Sequence, residues 1–443
     1  MYGATYQKYF FAFPLFCTMA AYERRRHHEG RDAIAPAEPA MSGPLQGIRI
    51  VDMTTVLMGP YATQILGDLG ADVIKVEPPA GDTVRDVGPR RNDGMAGIFL
   101  HANRSKRSIV LDLKQPAGRE ALLRLAADAD VLIYNVRPQA MARLNLGYED
   151  IAKINPRILY VGVYGYGQGG PYAAKSAYDD LIQGAVAIPS LAKAAGADLP
   201  RYAPSAMADR IVGLAAANAV SAGLLYRERT GEGQRVDVPM FETMAQFVLG
   251  DHMGGMTFEP PIGPSGYARI LDHNRRPLST KDGYLCVLFY NDKQWRQFFA
   301  LVGQPDLMDS DPRFATIGER TKHIDALYRM VAEVMPTRTT AEWIAVLEAA
   351  DMPVMQLHTI DSLLADPHLD AVGFFEVVEH PTEGVIRSMA VPSTWSKSSP
   401  EITLQAPRLG EHSAAVLAEA GYSTKDISKL AASGATVLAP SRQ

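Results

Sequence analysis

The chain has 443 residues, 47% of them hydrophobic and 21% charged, with a formal net charge of −5. This composition fits a globular chain with room for two or more domains, and its acidic balance offers no electrostatic footprint for nucleic acid. Two cysteines, Cys17 and Cys286, exclude a disulfide framework and point to a reducing compartment. The histidines form no HExxH pattern and no Cys/His cluster, so no metal site is expected.

The first forty residues differ from the rest. YFFAFPLFCTMAAY (9–22) is apolar and aromatic, and ERRRHHEGRD follows it. A signal peptide carries its basic residues before the apolar run, and here they come after it. The run is too short for a membrane span and contains Pro14. Regular patterning begins at Met41, in MSGPLQGIRIVD, so residues 1–41 read as a disordered extension or as the product of a start placed too far upstream. No later stretch reads as long and apolar enough to span a membrane, and a cytoplasmic protein is expected.

From Met41 onward the chain alternates. IRIVD (48–52) is β-branched, TTVLMGP is a loop, YATQILGDLG has helical spacing, and ADVIKVEPP is a second strand stopped by prolines. SIVLDL (108–113), VLIYNV (131–136) and RILYVGVYGY (157–166) repeat the strand pattern, with helical GREALLRLAADAD and EDIAKI between them. Strands alternating with helices imply an α/β fold with a parallel sheet covered on both faces. Ligands on such sheets sit beyond the carboxyl ends of strands, so chemistry is sought in the loops after residues 52, 77, 113, 135 and 164.

FEPPIGPSGYARILDHNRRPLS (258–279) is rich in Pro and Gly and reads as a linker. A smaller α+β region follows, from DGYLCVLFY through a helical stretch near 320–350 to MPVMQLHTI. FFEVVEHPTEGVIRSMAVP reads as two strands with a turn at Thr382 to Gly384. The tail reads as two short helices, the second opened by Ser423 with Asp426 three residues on. The expected boundaries are 42–250 for the large domain, 251–269 for a linker, 270–370 for the small domain and 371–443 for a segment that returns to the large domain.

Several motifs admit two readings. GYGQGG (165–170) fits a dinucleotide fingerprint, but Pro171 follows it directly and no helix pattern opens on its last glycine. No phosphate-cradling G-x-x-x-x-G-K-[ST] occurs. Arg104, Lys106, Arg107, Lys114, Arg137 and Arg143 flank strands; they are either solvated surface charge or a convergent site for a polyanion such as a nucleotide phosphate. YDD (178–180) is either a helix cap or a carboxylate pair. Asp209 is the lone acid opening the small-residue run RIVGLAAANAVSAGLL. It serves as a first-turn acid, or as a nucleophile that the helix start keeps ionised.

The ordered motifs from MSGPLQGIRIVDMTTVLMGPYATQILGDLGADVIKVEPPAGDTVR through NRSKRSIVLDLK, VLIYNVRPQAMARL, INPRILYVGVYGYGQGGPY, SAYDDLIQ, RTGEGQRVDVPMFE and LGEHSAAVLAEAGYS resemble the class III CoA-transferases, the CaiB/BaiF family. The resemblance runs from Met41 to about Ser433 and leaves out the first forty residues. It implies a Rossmann-like large domain, a small α+β domain and an interlocked homodimer. It further implies transfer of CoA from an acyl-CoA to a small carboxylic acid, with no tightly bound cofactor and no membrane or nucleic-acid partner. The family's catalytic aspartate falls on Asp209. Its CoA contacts fall on Val56, Leu57, Leu111, Asp112, Leu113, Lys114, Asn135, Val136, Arg137, Ala140 and Arg143, and Tyr178 matches a tyrosine that lines the acyl site. The resemblance favours the convergent-cation reading of Lys114, Arg137 and Arg143.

Three departures from the formyl-CoA transferases are visible. Leu57 replaces a glutamine, Pro78 replaces an arginine, and the tetraglycine loop is missing, its nearest counterparts being Gly254 and Gly255. Formate and oxalate are therefore poor substrate expectations. The same superfamily holds α-methylacyl-CoA racemases, whose histidine base falls on Tyr178. A tyrosine is a poor partner for two-base proton exchange at neutral pH, which favours transfer over racemisation.

Overall fold

The computed structural model describes residues 43–439. The expectations for residues 1–41, Cys17 included, lie outside the described residues.

The predicted alternation folds as strand β1 (Arg49–Met53), helix α1 (Met58–Asp68), β2 (Asp72–Glu77), α2 (Gly97–Asn103), β3 (Lys106–Val110), α3 (Pro116–Ala127) and β4 (Val131–Tyr134). Helices α4 (Pro138–Arg143) and α5 (Tyr148–Ile154) lead to β5 (Leu159–Tyr164). The helices α6 (Asp179–Ala185), α7 (Ile188–Ala194) and α8 (Met207–Thr230) precede β6 (Gln234–Pro239) and α9 (Met240–His252). The six strands form one sheet in the order β3-β2-β1-β4-β5-β6, and every pairing is parallel. The order reverses between β1 and β4, and such switch points open a crevice at the strands' carboxyl ends.

Alternate residues of each strand feed opposite faces. Ile50, Val73, Val131 and Val161 pack with α1 and α8 on one face. Val51, Ile74, Leu132 and Tyr160 pack on the other with α3 and with two helices from the tail, Ser413–Glu419 and Thr424–Ala432. Burial on both faces explains why the strands read as continuous apolar runs. Helix α8 crosses α1 closely at Gly213, where a Cβ would stand 2.8 Å from the Met58 carbonyl oxygen and 3.0 Å from Tyr61 Cδ1.

Three local expectations are corrected. Strand β3 begins two residues earlier than its apolar run and ends at Val110, because Asp112 turns out to donate its N–H to the Ala435 carbonyl. Strand β6 has exposed Arg235 and Asp237 at alternate positions, so QRVDVP carries no apolar run and was not expected as a strand. Helix α8, with 24 residues, is long and apolar enough to cross a membrane, contrary to the expectation that no such stretch exists. Its Val212, Ala216, Val220 and Leu224 belong to the core beneath the sheet.

A further core is built on the antiparallel sheet β7 (Leu278–Ser279), β8 (Tyr284–Val287) and β9 (Val354–Gln356). Trp295, Phe298, Phe299 and Phe314 stack there, and Trp343 donates to the Met335 carbonyl at 2.7 Å. The predicted hairpin forms as β10 (Phe375–His380) and β11 (Gly384–Met389), with Gly384 in the left-handed region at φ +61°. Ser423 caps the last helix as its spacing suggested. Gly254 and Gly255 lie in a single 3-10 turn packed on the backbone of residues 263–266, an approach a Cβ would block.

Candidate active site

The crevice at the switch point is a cavity of about 670 Å³. Thr55 and Val56 reach it from the loop after β1, Asn135 to Arg143 from the loop after β4 and helix α4, and Tyr164 and Gly165 from the end of β5. Residues 174–179 close another side and Asp209 contributes from the first turn of α8. Of the residues singled out in the sequence, the cavity gathers Val56, Asn135, Val136, Arg137, Ala140, Arg143, Tyr178 and Asp209. Leu57, Leu111, Asp112, Leu113 and Lys114 are outside this lining. Leu57 is buried as the residue before α1. Residues 111–114 follow β3, three strands from β4 and so roughly 14 Å away across the sheet.

The loop after β1 is held from three directions. Asn135 brackets Thr55, accepting its N–H at 3.0 Å and donating to its carbonyl at 2.7 Å. Thr54 donates N–H and hydroxyl to Asp52. Val56 donates its N–H to Asp82 Oδ1 at 3.0 Å. On the opposite wall Arg137 donates to the Ser176 hydroxyl at 2.8 Å, and Lys175 stacks over Tyr172 with Nζ 3.8 Å from the ring centre. Tyr178 is 66% exposed.

The YDD segment opens α6 without a side-chain cap and supplies a carboxylate pair, though not between its own neighbours. Tyr178 precedes α6, and Asp179 and Asp180 occupy its first turn. Asp179 Oδ1 accepts the backbone N–H of Asp209 at 2.9 Å, while Gln183 Nε2 donates to its other oxygen. Both carboxylates thus stand at helix starts beside one cavity. The helix start is therefore not the only influence on the charge of Asp209. Burial, followed by the charge of Asp179, pushes Asp209 up to about 6 against the pull of Arg210. The N–H of Asp209 itself, in that first turn, is given to a second carboxylate. The sequence offered Asp179 only as the partner of its neighbour Asp180, because thirty positions separate it from Asp209.

The other motifs resolve structurally. Arg104 pairs with Asp68, Arg107 with Asp72 and Glu419, and fully buried Lys106 with Asp52. These three cations are engaged by carboxylates of the chain itself, those of Arg104 and Lys106 buried and those of Arg107 partly exposed. Burial pushes Lys106 down to about 8, partly offset by Asp52. GYGQGG forms turns that no helix follows before α6, and Gly167 donates its N–H to Glu242. The helix-opening geometry that a dinucleotide fingerprint requires is missing at this loop. Among the described residues no group of three His, Cys, Asp or Glu side chains stands ready to hold a metal ion.

Comparison with known proteins agrees with this geometry. Residues 45–413 match the family model described as CoA-transferase family III. The succinate–glutarate CoA-transferase of Agrobacterium fabrum is 33% identical over 388 residues, covering 86% of this chain and 96% of the relative. The succinyl-CoA:glutarate CoA-transferase of Mus musculus is 33% identical over 88% of this chain and 90% of its own. A CaiB/BaiF family protein from Brucella suis superposes with a TM-score of 0.71 at 33% identity, over 86% of this chain and 100% of that one. A switch-point crevice that brings a raised-pKa aspartate together with arginines is therefore set in a family framework, and the chain belongs to CoA-transferase family III.

Proposed function

We propose that Asp209 is the nucleophile of this CoA-transferase. The observation that carries the reading is its place in the crevice, partly desolvated and beside Asp179, which leaves a carboxylate that is more basic than usual yet about nine-tenths ionised at pH 7. One Asp209 oxygen attacks the thioester carbonyl of the donor. The C–S bond breaks, CoA leaves as thiolate and a mixed anhydride remains. The thiolate attacks the Asp209 carbonyl carbon and expels the donor acid, giving an aspartyl-CoA thioester. The acceptor carboxylate displaces CoA in turn, and the thiolate attacks the acceptor's acyl carbon, returning Asp209 as carboxylate. One thioester is conserved and no net proton is consumed, so no nucleotide hydrolysis is needed.

Arg137 and Arg143 are assigned to the anionic parts of CoA, and Val56, Asn135, Val136 and Ala140 to its contacts along the crevice. Lys114 and the neighbouring residues 111–113 are assigned to a stretch of the extended CoA that runs along the strand ends toward β3. The names of the relatives make short dicarboxylates the first donor and acceptor acids to try. A cytoplasmic homodimer is part of the same reading, and exposed Leu214, Leu225, Phe247 and Leu249 on α8 and α9 support a partner surface.

The test is mass spectrometry of the chain incubated with succinyl-CoA and other acyl-CoAs, then with hydroxylamine. A hydroxamate or CoA adduct on the peptide carrying Asp209 supports the reading and names a donor. If CoA binds but no donor gives an adduct, the carboxylate is acting as a general base, a role its value near 6 also suits. The assay then becomes deuterium entry at the acyl α-carbon.

A further inference from the structure

Val56 lines the crevice with φ at +69°, in the left-handed region that a β-branched residue seldom enters. Its backbone meets a buried ion pair that does not itself line the cavity. Lys75, at the middle of β2, and Asp82, in the loop after β2, are both fully buried, with Lys75 Nζ 2.9 Å from Asp82 Oδ2. Lys75 also donates to the Thr54 carbonyl at 3.0 Å. The other oxygen of Asp82 accepts the Val56 N–H at 3.0 Å and the Val84 N–H at 3.2 Å. Asp82 is fixed in turn through its own N–H, given to Glu77 Oε2 at 3.1 Å. Burial opposes the charge on Lys75, but Asp82, Asp52 and Glu77 outweigh it and hold the ammonium above the ordinary lysine range.

We infer that Lys75 and Asp82 are positioning residues: their buried pair holds Val56 in its left-handed conformation, so the crevice wall is shaped for CoA before CoA arrives. The argument is one of cost. Two charges withdrawn from water give little net stability compared with an apolar pair, so a buried pair calls for another use. Here the use is visible. One end of the pair grips the Thr54 carbonyl and the other the Val56 N–H, and between them Thr55 is clamped by Asn135. A valine free to relax would leave the left-handed region and carry the β1–α1 loop with it, and the order would have to be restored at each binding event.

This inference rests on the crevice being the CoA site, so the experiment separates the two. CoA binding to the full chain is measured by titration calorimetry. Arg143→Ala tests the crevice: weaker binding supports it as the CoA site, and unchanged binding overturns both readings. Asp82→Asn keeps the shape of the acceptor and removes the charge facing Lys75. It is expected to weaken the Kd for CoA about tenfold. Adding Val56→Gly to the same chain is expected to recover about threefold or more, since glycine holds a positive φ without strain. A folded Asp82→Asn protein with wild-type affinity, or a loss that Val56→Gly leaves whole, overturns the inference while a sensitive Arg143→Ala leaves the crevice standing. If Asp82→Asn does not fold, Val56→Pro decides, because it spares the ion pair, fixes φ near about −65° and removes the N–H. CoA affinity should then fall with the circular dichroism spectrum unchanged, and wild-type affinity in Val56→Pro overturns the inference.

Discussion

Asp209 should make the protein less stable at the pH where it works. Its carboxyl titrates at about 6 in the folded chain against 3.8 in the open. The folded chain therefore holds this proton more tightly than the unfolded chain. The stability that the protonated carboxyl contributes is complete below about pH 3.8 and is lost as pH rises through about 6. A difference of about two units, at about 1.4 kcal/mol each, amounts to about 3 kcal/mol withheld at pH 8. Asp209→Asn removes the ionisable group and keeps the shape and the N–H given to Asp179. It should abolish CoA transfer and raise unfolding free energy by up to about 3 kcal/mol at pH 8, with the gain shrinking toward zero by pH 4. Urea unfolding at pH 4, 6 and 8 measures it, followed by far-ultraviolet circular dichroism. Tryptophan fluorescence is the wrong probe, since Trp295 and Trp343 sit in the small core and Trp395 follows β11. A gain that does not vary with pH, or a loss at pH 8, would refute the account of Asp209 as a carboxylate strained by burial and by Asp179.

Two other substitutions probe the same framework. Asp179→Asn retains an acceptor for the Asp209 N–H but removes the second contributor to its raised value, so the acid limb of the pH–rate profile should move below about 6 without reaching 3.8; an unmoved limb would remove Asp179 from the electrostatics of the site. Gly213→Ala should cost about 1–3 kcal/mol by forcing α8 away from α1, read as a lower melting temperature, and an unchanged melt would mean the crossing is looser than the 2.8 Å approach implies.

The fold was legible wherever burial left a periodic trace. β1, β2, β4 and β5 are buried on both faces and read as apolar runs, and α3 and the tail helices carry their core residues at helical spacing. β6 escaped because its exposed Arg235 and Asp237 break the run, although it completes the sheet beside β5. In the site, the loop after β4 was expected from the strand-end rule, and the role given to Asp209 came from resemblance to a family, since an acid before a small-residue helix is chemically ambiguous on its own. The pairing of Asp179 with Asp209, the ion pairs of Arg104, Lys106 and Arg107, and the bond from Val56 to Asp82 all join residues distant in sequence. Local pattern carries no information about such partners, and it could not show the burial and the second carboxylate that raise Asp209.

Strand β3 is the outermost strand of the sheet on its side, yet its free edge is taken. Ser105 donates its N–H to the Leu404 carbonyl, Ser108 accepts from the His412 N–H, Val110 is met by the hydroxyls of Ser413 and Thr436, and Asp112 donates to Ala435. The residues that seal this edge leave the ribosome some three hundred positions after the strand they cover. During synthesis the first half of the sheet therefore waits with an open margin, able to recruit a strand from another nascent chain. Chains cut short before Ser413 should accumulate in inclusion bodies however well formed their crevice, and a chaperone acting on this protein would have its longest task at that margin.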